Sequence, residues 1–531
     1  MEWAKVTESR DQQILFPERL DEAVAANHDV RVLDKILRTI DWSAWEAKYK
    51  RVTGRPPVHP RIVASVILYG LFCRIISSRK LEEALTIRLD FRWLVEGLTL
   101  DHSTICKFRT GNKEALSKLF VQLALMGKEL GWVRLDSIGF DATRMRSNNS
   151  RQSSRTPERL RELRKELTAA YEQFDAQAQA ADQQEAEQFG GASHHQLDVD
   201  VAQVERKLAK VNAALAEVEK LETAEKTVPS RIPMTDPESR IMPNKDGGYS
   251  PNYSPISTVD IESGLIVDAA VLNEINEDPH LLDSLARVQE NFGLDSPPEK
   301  ALADGLMASG ENIARCNEAG VDLYAPTKTA DPSTNPAIRE RLDEPVAESE
   351  RGRLPVVNVT VAGVKRKQLS KDAFVFDGRS NCYWCPNGKV LEFHGKTSEK
   401  RSSGSRRVRH RYRIDGKVCA ACPLADLCLR KPGSGRQVNH EEHEEARVAH
   451  AKKMATDEAK EIYRQRQHPT ERPFGVIKSQ FGMRQFLTRG LERVSQEWSW
   501  CVAAFNVHRL IGLIRNHAGP PQLKSEVSPS H

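Results

Sequence analysis

The stretch YSPNYSPISTVDIESGLIVDAAVLN, residues 249–273, holds two β-rich runs on either side of Glu262-Ser263-Gly264. The spacing predicts a β-hairpin with that tripeptide at its turn. Upstream, VRLDSIGFDAT (residues 133–143) alternates apolar and polar residues and ends in a polar cluster. That alternation predicts a strand with Asp141 near its C-terminal end. Downstream, PHLLDSLARVQENFG (279–293) reads as a helix. KALADGL (300–306) reads as a short strand ending at Asp304-Gly305. SGENIARCNEAG (309–320) is a second helix and VDLYAP (321–326) a buried strand. The order strand, hairpin, helix, strand, helix, strand predicts a mixed α/β sheet and excludes an alternating doubly wound one.

Farther out the pattern changes three times. Residues 1–130 read as helical. PRIVASVILYGLFCRIISSRKLEEAL (60–85) spaces its apolar residues as a helix does, and Pro60 suits a first helical position. In FRWLVEGLTLDHSTICKFRTGNKEAL (91–116), Asp101 or Ser103 is placed to cap a helix carrying Thr104, Lys107 and Arg109 on a polar face. Two such helices suit either a helix-turn-helix DNA reader or a plain bundle. Residues 152–228 are charged and rich in Ala and Leu, with a break at Gly190–His195. They predict an antiparallel helical hairpin or short coiled coil. Residues 327–445 hold proline-rich loops, a cysteine cluster and the run KTSEKRSSGSRRVRHRYR (396–413). Residues 446–515 return to helix, and the tail is expected to be disordered.

The chain has 531 residues, a length that suits two to four domains. Its 39% hydrophobic and 29% charged residues allow a real core under a heavily charged surface. The formal charge of +4 says little alone, because the basic residues are clustered. No apolar run is long enough to span a bilayer, and the N-terminus lacks the pattern of a secretory signal. A cytoplasmic protein is therefore expected, and in that compartment the nine cysteines are not expected to build a disulfide framework.

Two features carry chemistry. Asp141 and Asp304 sit near strand ends, and Glu471 lies in the helix-rich segment HPTERPFGVIKSQFG (468–482). Two strand-borne carboxylates beside one from a later helix suit a pair of divalent ions about 4 Å apart. Such ions serve phosphodiester chemistry, and carboxylate oxygens favour Mg²⁺ or Mn²⁺. Against this stand the 74 acidic residues of the chain, most of which must be solvated surface groups. The second feature is Cys382-x-x-Cys385 with Cys419-x-x-Cys422 and Cys428. This spacing suits tetrahedral Zn²⁺ and leaves the choice of four among five open. Cys73, Cys106, Cys316 and Cys501 fall in helical apolar contexts and are expected in the core. Arg406, Arg407 and Arg409, within the basic run, suit a phosphate-binding surface.

The segment DPESRIMPNKDGGYSPNYSPISTVDIESGLIVDAAVLNEINEDPHLL (236–282) resembles the central signature of bacterial insertion-sequence transposases. Asp141-Ala142-Thr143 and Ala303-Asp304-Gly305-Leu306 resemble two further motifs of that family. So do Tyr463, Arg466, Glu471, Phe474, Gly475 and Lys478 in order, then Arg489-Gly490-Leu491 and Ala504-Phe505-Asn506. HPRIVASVILYG (59–70) and LDHSTICKFR (100–109) resemble its helical N-terminal domain.

The resemblance implies an RNase H-like catalytic domain with Asp141, Asp304 and Glu471 as a DDE triad. It implies hydrolysis at the ends of a mobile element, then attack of the freed 3′ hydroxyl on target DNA. Double-stranded DNA is the implied partner, acted on by a homodimer or larger synaptic complex, nucleoid-associated when bound. Tyr463, Arg466 and Lys478 are implied DNA contacts, and on a continuous helix Lys478 shares a face with Glu471. The implied boundaries are 1–130 for a DNA-binding helical domain and 131–151 for the start of the catalytic domain. A helical hairpin insertion follows at 152–228, then more catalytic domain at 229–326. A cysteine-rich basic insertion occupies 327–445, the final catalytic helices 446–515, and the tail 516–531. Two departures from the family pattern stand out. Leu306 replaces the more usual aromatic residue or glycine, and Pro469 and Pro473 bracket Glu471, which suggests that the helix restarts there. The alternatives are a catalytically silent DNA-binding relative and a metal-dependent nuclease that does not join ends.

Overall fold

The computed structural model describes residues 19–49, 56–189, 199–244, 247–361, 363–400, 406–431 and 433–516. The chain forms two compact units. The first comprises Met1–Val133, Gly475–Met483 and Ser495–His531, and the second Arg134–Phe474 and Arg484–Val494. The Gly190–His195 break and the C-terminal tail lie outside the described residues.

The first unit is helical. The Pro60–Phe72 helix starts at its proline, where a missing N–H costs nothing, and buries nearly every residue from Ile62 to Leu71. It does not run on through the Lys80 region as a single helix. Arg74 turns left-handed, with φ of 58°, and a second helix begins at Ser78. The helix His102–Gly111 is capped by Asp101, whose carboxylate accepts the Thr104 N–H at 2.8 Å. Ile105 and Phe108 point inward, and Trp45 stacks on Phe108 with ring centroids 5.0 Å apart. Two expectations change here. Arg109 is not on a polar face: it donates to the Ile76 carbonyl at 2.9 Å, and burial pushes its pKa down. Cys106, one position off the Ile105 stripe, is exposed rather than core.

The second unit is built on the expected mixed sheet. Its principal strands are β1 (Ser137–Ala142), β2 (Tyr249–Asp260), β3 (Ile266–Leu272), β4 (Lys300–Leu302) and β5 (Asp322–Tyr324). Their spatial order is β3-β2-β1-β4-β5. β2 pairs antiparallel with β1 and β3, while β4 runs parallel to β1 and β5 parallel to β4. The hairpin turn falls where the sequence puts it. Gly264 has φ of 68°, and Ser263 donates from N and Oγ to the buried Asp260 carboxylate.

Alternation along β1 sends Ile138 and Phe140 to one face and Gly139 and Asp141 to the other. Ile138 and Phe140 are buried under helices Leu281–Phe292 and Gly310–Glu318, with Leu285, Ile313 and Cys316 in the same core. On another part of the sheet, Leu302 of β4 and Tyr324 of β5 pack against Ala459, Ile462 and Tyr463 of helix Asp457–Arg464.

Between β1 and β2 in the chain, helices Pro157–Phe189 and Val199–Thr223 pack on each other through Leu160, Leu163, Val211 and Val218. Arg161 near the start of one pairs with Glu222 near the end of the other, so they run antiparallel. Beyond β5 the chain holds far more β-structure than its proline-rich loops suggest. Val375–Asp377, Cys382–Trp384, Val390–Lys400, Arg406–Arg413 and Gln437–Glu441 form an antiparallel five-stranded sheet. The basic run is itself a strand because Val408, His410 and Tyr412 alternate with its arginines. Tyr412 is fully buried beside Tyr383. Among the described residues no helix is long and apolar enough to cross a membrane.

Candidate active site and cysteine cluster

Asp141 is the penultimate residue of β1, opposite Ser257 of β2. Its carboxylate accepts the Ala142 N–H at 2.9 Å and pairs with the guanidinium of Arg466 at 3.1 Å. Arg466 itself is buried, so this ion pair is largely shielded from water. One turn farther on, Thr470 is fully buried and donates back to the Arg466 carbonyl at 3.0 Å. A Cβ added to Gly139 would stand only 2.4 Å from the Thr470 methyl. The absence of a side chain at 139 is thus what lets helix Gln467–Gly475 dock on β1, two residues before Asp141.

Glu471 is the fifth residue of that helix and is exposed. The helix does restart, at Gln467, so Glu471 lies a turn inside it rather than at its first residue. Pro469 falls in the first turn, where its ring and missing N–H are tolerated. Pro473 lies inside the helix, and Val476–Gln480 continues as π-helix carrying Lys478. The α-helical period that gave Glu471 and Lys478 a common face is therefore interrupted. Lys478 belongs to the first unit.

Asp304 lies two residues beyond β4. Its carboxylate accepts the Leu306 N–H at 2.8 Å, and its carbonyl accepts from Met307 at 3.0 Å. The turn is tight: a Cβ on Gly305 would meet the Pro326 carbonyl at 2.8 Å. Asp304 opens onto a cleft of about 830 Å³ that also presents Ser309, Lys328, His443 and Arg447. A neighbour that the sequence did not single out is Glu277. It is buried and ion-paired with Arg144, which also donates to Ser254 Oγ at 2.7 Å. Burial raises the Glu277 pKa, Arg144 opposes that shift, and the negative charge of Asp304 adds to it. Its only sequence signal is the acidic run after β3, one among many.

Tyr463 is half-buried and lines a hollow of about 410 Å³ with Thr327, Asp331, Lys460 and Arg464. Arg409 is held by Glu399 at 2.6 Å and Glu441 at 3.5 Å. The backbones of Arg406 and Arg407 are part of the basic strand, and their side chains lie outside the described residues. Among the described residues no three His, Cys, Asp or Glu side chains are gathered so as to hold a metal ion.

Four of the five clustered cysteines line one small cavity of about 30 Å³: Cys385, Cys419, Cys422 and Cys428. Burial pushes the Cys385 thiol up and the Cys428 thiol to about 12, and in both the other cavity cysteines add to the shift. Cys382 stands elsewhere, on a strand opposite Asp377, with Asp377 and Glu392 as its charged neighbours.

Two family models match the chain. Transposase domain (DUF772) matches residues 18–111, the helical region that includes Asp101 and Lys107. Transposase DDE domain matches residues 384–511, which includes Tyr463, Arg466, Glu471 and Lys478 but neither Asp141 nor Asp304. No curated protein matches the chain. The two matches occur in the order in which the corresponding motifs stand in the sequence, and together they support an insertion-sequence DDE transposase.

Proposed function

We propose that this protein is a transposase that binds the ends of its element, cleaves them by metal-dependent phosphodiester hydrolysis and joins the 3′ ends to target DNA. The observation that carries the reading is the docking of helix Gln467–Gly475 on β1 through Thr470 and Gly139. It ties the helix of Glu471 to the strand of Asp141, while Asp304 follows the parallel neighbour β4. The β3-β2-β1-β4-β5 order, with three antiparallel strands followed by two parallel ones, supports an RNase H-like catalytic domain.

Asp141, Asp304 and Glu471 offer only hard oxygen donors, which fit Mg²⁺ or Mn²⁺. When bound, such ions supply activation of the attacking oxygen and stabilisation of the leaving one. The chain's own part is to aim and balance the carboxylates. Arg466 holds the Asp141 carboxylate in place through an ion pair, and Arg144 offsets the charge of Glu277 beside Asp304. Lys328 and Arg447, on the wall of the Asp304 cleft, supply positive charge for a phosphate backbone. Paired element ends imply a dimer or larger synaptic complex, working in the cytoplasm on the nucleoid.

The test is strand transfer: pre-cleaved element ends are incubated with target plasmid, the protein and Mg²⁺. Joined products are expected. Cleavage of uncut ends without joining would indicate a nuclease, and binding without either would indicate a silent DNA-binding relative.

A further inference from the structure

We propose that Cys385, Cys419, Cys422 and Cys428 form a structural zinc site from which Cys382 is excluded. The four thiols come from three local structures that converge on one apolar cavity walled by Leu369, Phe374, Ile414 and Leu424. Cys385 opens a tight turn. The Gly388 N–H donates to the Cys385 carbonyl at 3.0 Å, and the Cys385 N–H to the Lys389 carbonyl at 2.9 Å. Gly388 has φ of 69°, and a Cβ there would fall 2.2 Å from the Asp343 carbonyl. This geometry aims the Lys389 N–H at Cys385 Sγ, 3.3 Å away, and so fixes the direction of the thiol.

Cys419 lies in helix Gly416–Ala420 and Cys428 ends helix Ala425–Cys428, with Cys422 in the turn between them. Successive turns, closed by Cys422 N to the Cys419 carbonyl and Ala425 N to the Cys422 carbonyl, bring the three sulfurs round to the same side. Sulfur-only, four-donor sites suit tetrahedral Zn²⁺ with bonds of about 2.3 Å. The thiols now line the wall of the cavity without meeting at a bonding point, so capture of the ion requires them to swing inward. Four thiolates around Zn²⁺ leave excess negative charge, and the Arg436 guanidinium is on the spot. It lines the cavity, donates to the Cys428 and Leu369 carbonyls, and lies 5.0 Å over the Phe374 ring. The ion would pin the base of strand Val390–Lys400, which carries the basic ribbon, to the two short helices. The site is independent of the carboxylate reading, since its metal is measured without DNA.

The experiment is elemental analysis of the full chain purified in reducing buffer without chelator. Wild type and Cys382→Ser are compared with serine variants of the other four cysteines. About one zinc per chain is expected in wild type and Cys382→Ser, falling severalfold in each of the other four. Absence of zinc, iron in its place, or equal loss in Cys382→Ser would overturn the proposal. If the four variants do not fold, cobalt loading of wild type and Cys382→Ser decides. Both should show thiolate charge-transfer and tetrahedral bands, and their absence from either sinks the assignment.

Discussion

Arg466, buried in the turn before helix Gln467–Gly475, holds the carboxylate of Asp141 at 3.1 Å from the end of β1. The two residues are far apart in sequence, so the contact fastens the start of helix Gln467–Gly475 to β1. The Asp141 and Arg466 side chains are 17% and 10% exposed, little enough that solvent screening does not erase the interaction. Arg466→Ala is expected to cost about 2 kcal/mol, the usual scale for a shielded charged hydrogen bond losing its partner. Urea denaturation reads this directly, and a variant as stable as wild type would contradict it.

Gly139→Ala is a second structural test. The new methyl would meet Thr470 Cγ2 at 2.4 Å and Ile261 Cδ1 at 2.9 Å, so the helix must shift. A loss of about 1–3 kcal/mol is expected, as for other overpacked sites. Thr470→Ser removes the clashing methyl and keeps the hydroxyl bond to the Arg466 carbonyl. The double variant should therefore recover part of the loss in denaturation midpoint and in end cleavage. No recovery would mean that the helix does not dock at this glycine.

His450 gives a pH dependence. It is buried, with Nε2 at 2.8 Å from the Ala325 carbonyl just past β5, between Lys453 and Asp322. Burial lowers its pKa, so the folded state prefers the neutral ring and the unfolded state binds the proton more readily. Its contribution to stability is fully present above about pH 6.5 and is lost as pH falls from there through the lowered value. His450→Gln keeps a donor for Ala325 and removes the titration. Its stability should decline less steeply below about pH 6.5 in thermal melts, and an unchanged slope would rule this out.

The basic ribbon predicts a graded salt dependence. Arg409 is already engaged by Glu399 and Glu441, whereas Arg413 is exposed at the other end of the strand. Arg413→Ala is expected to flatten the slope of log affinity against log salt by about 0.9 for one lost phosphate contact. Arg409→Ala should change it less. Binding to element-end DNA across a salt series checks both, and equal slopes for all three proteins would remove the ribbon from the interface.

The hairpin at 249–273 was legible because its two β-rich runs flank a turn signal, and the turn does fall at Gly264. Asp141 and Asp304 were legible as strand-end acids. What joins them to the rest was not. The contact of Gly139 with Thr470 depends on a helix that sequence spacing cannot place against a strand so far away. Glu277 looks like any loop acid until burial and Arg144 distinguish it. The strand character of Arg406–Arg413 was hidden under its arginines, and of the residues that alternate with them only Tyr412 is fully buried. Arg109 and Cys106 were misplaced for one reason: a helix of mild amphipathicity leaves the outward side ambiguous until its neighbours are known. Cysteine spacing gave five candidates, and only the folded turns separate Cys382 from the cavity.

The central claim is that Asp141, Asp304 and Glu471 together carry the cutting chemistry. Its most direct test is cleavage of DNA bearing the element's own ends in Mg²⁺, with wild type beside Asp141→Ala, Asp304→Ala and Glu471→Ala. The account predicts cutting at the ends by wild type, and unchanged DNA binding with cleavage reduced at least about 100-fold in each variant. Normal cutting by any one variant, or binding without cutting by wild type, would contradict it.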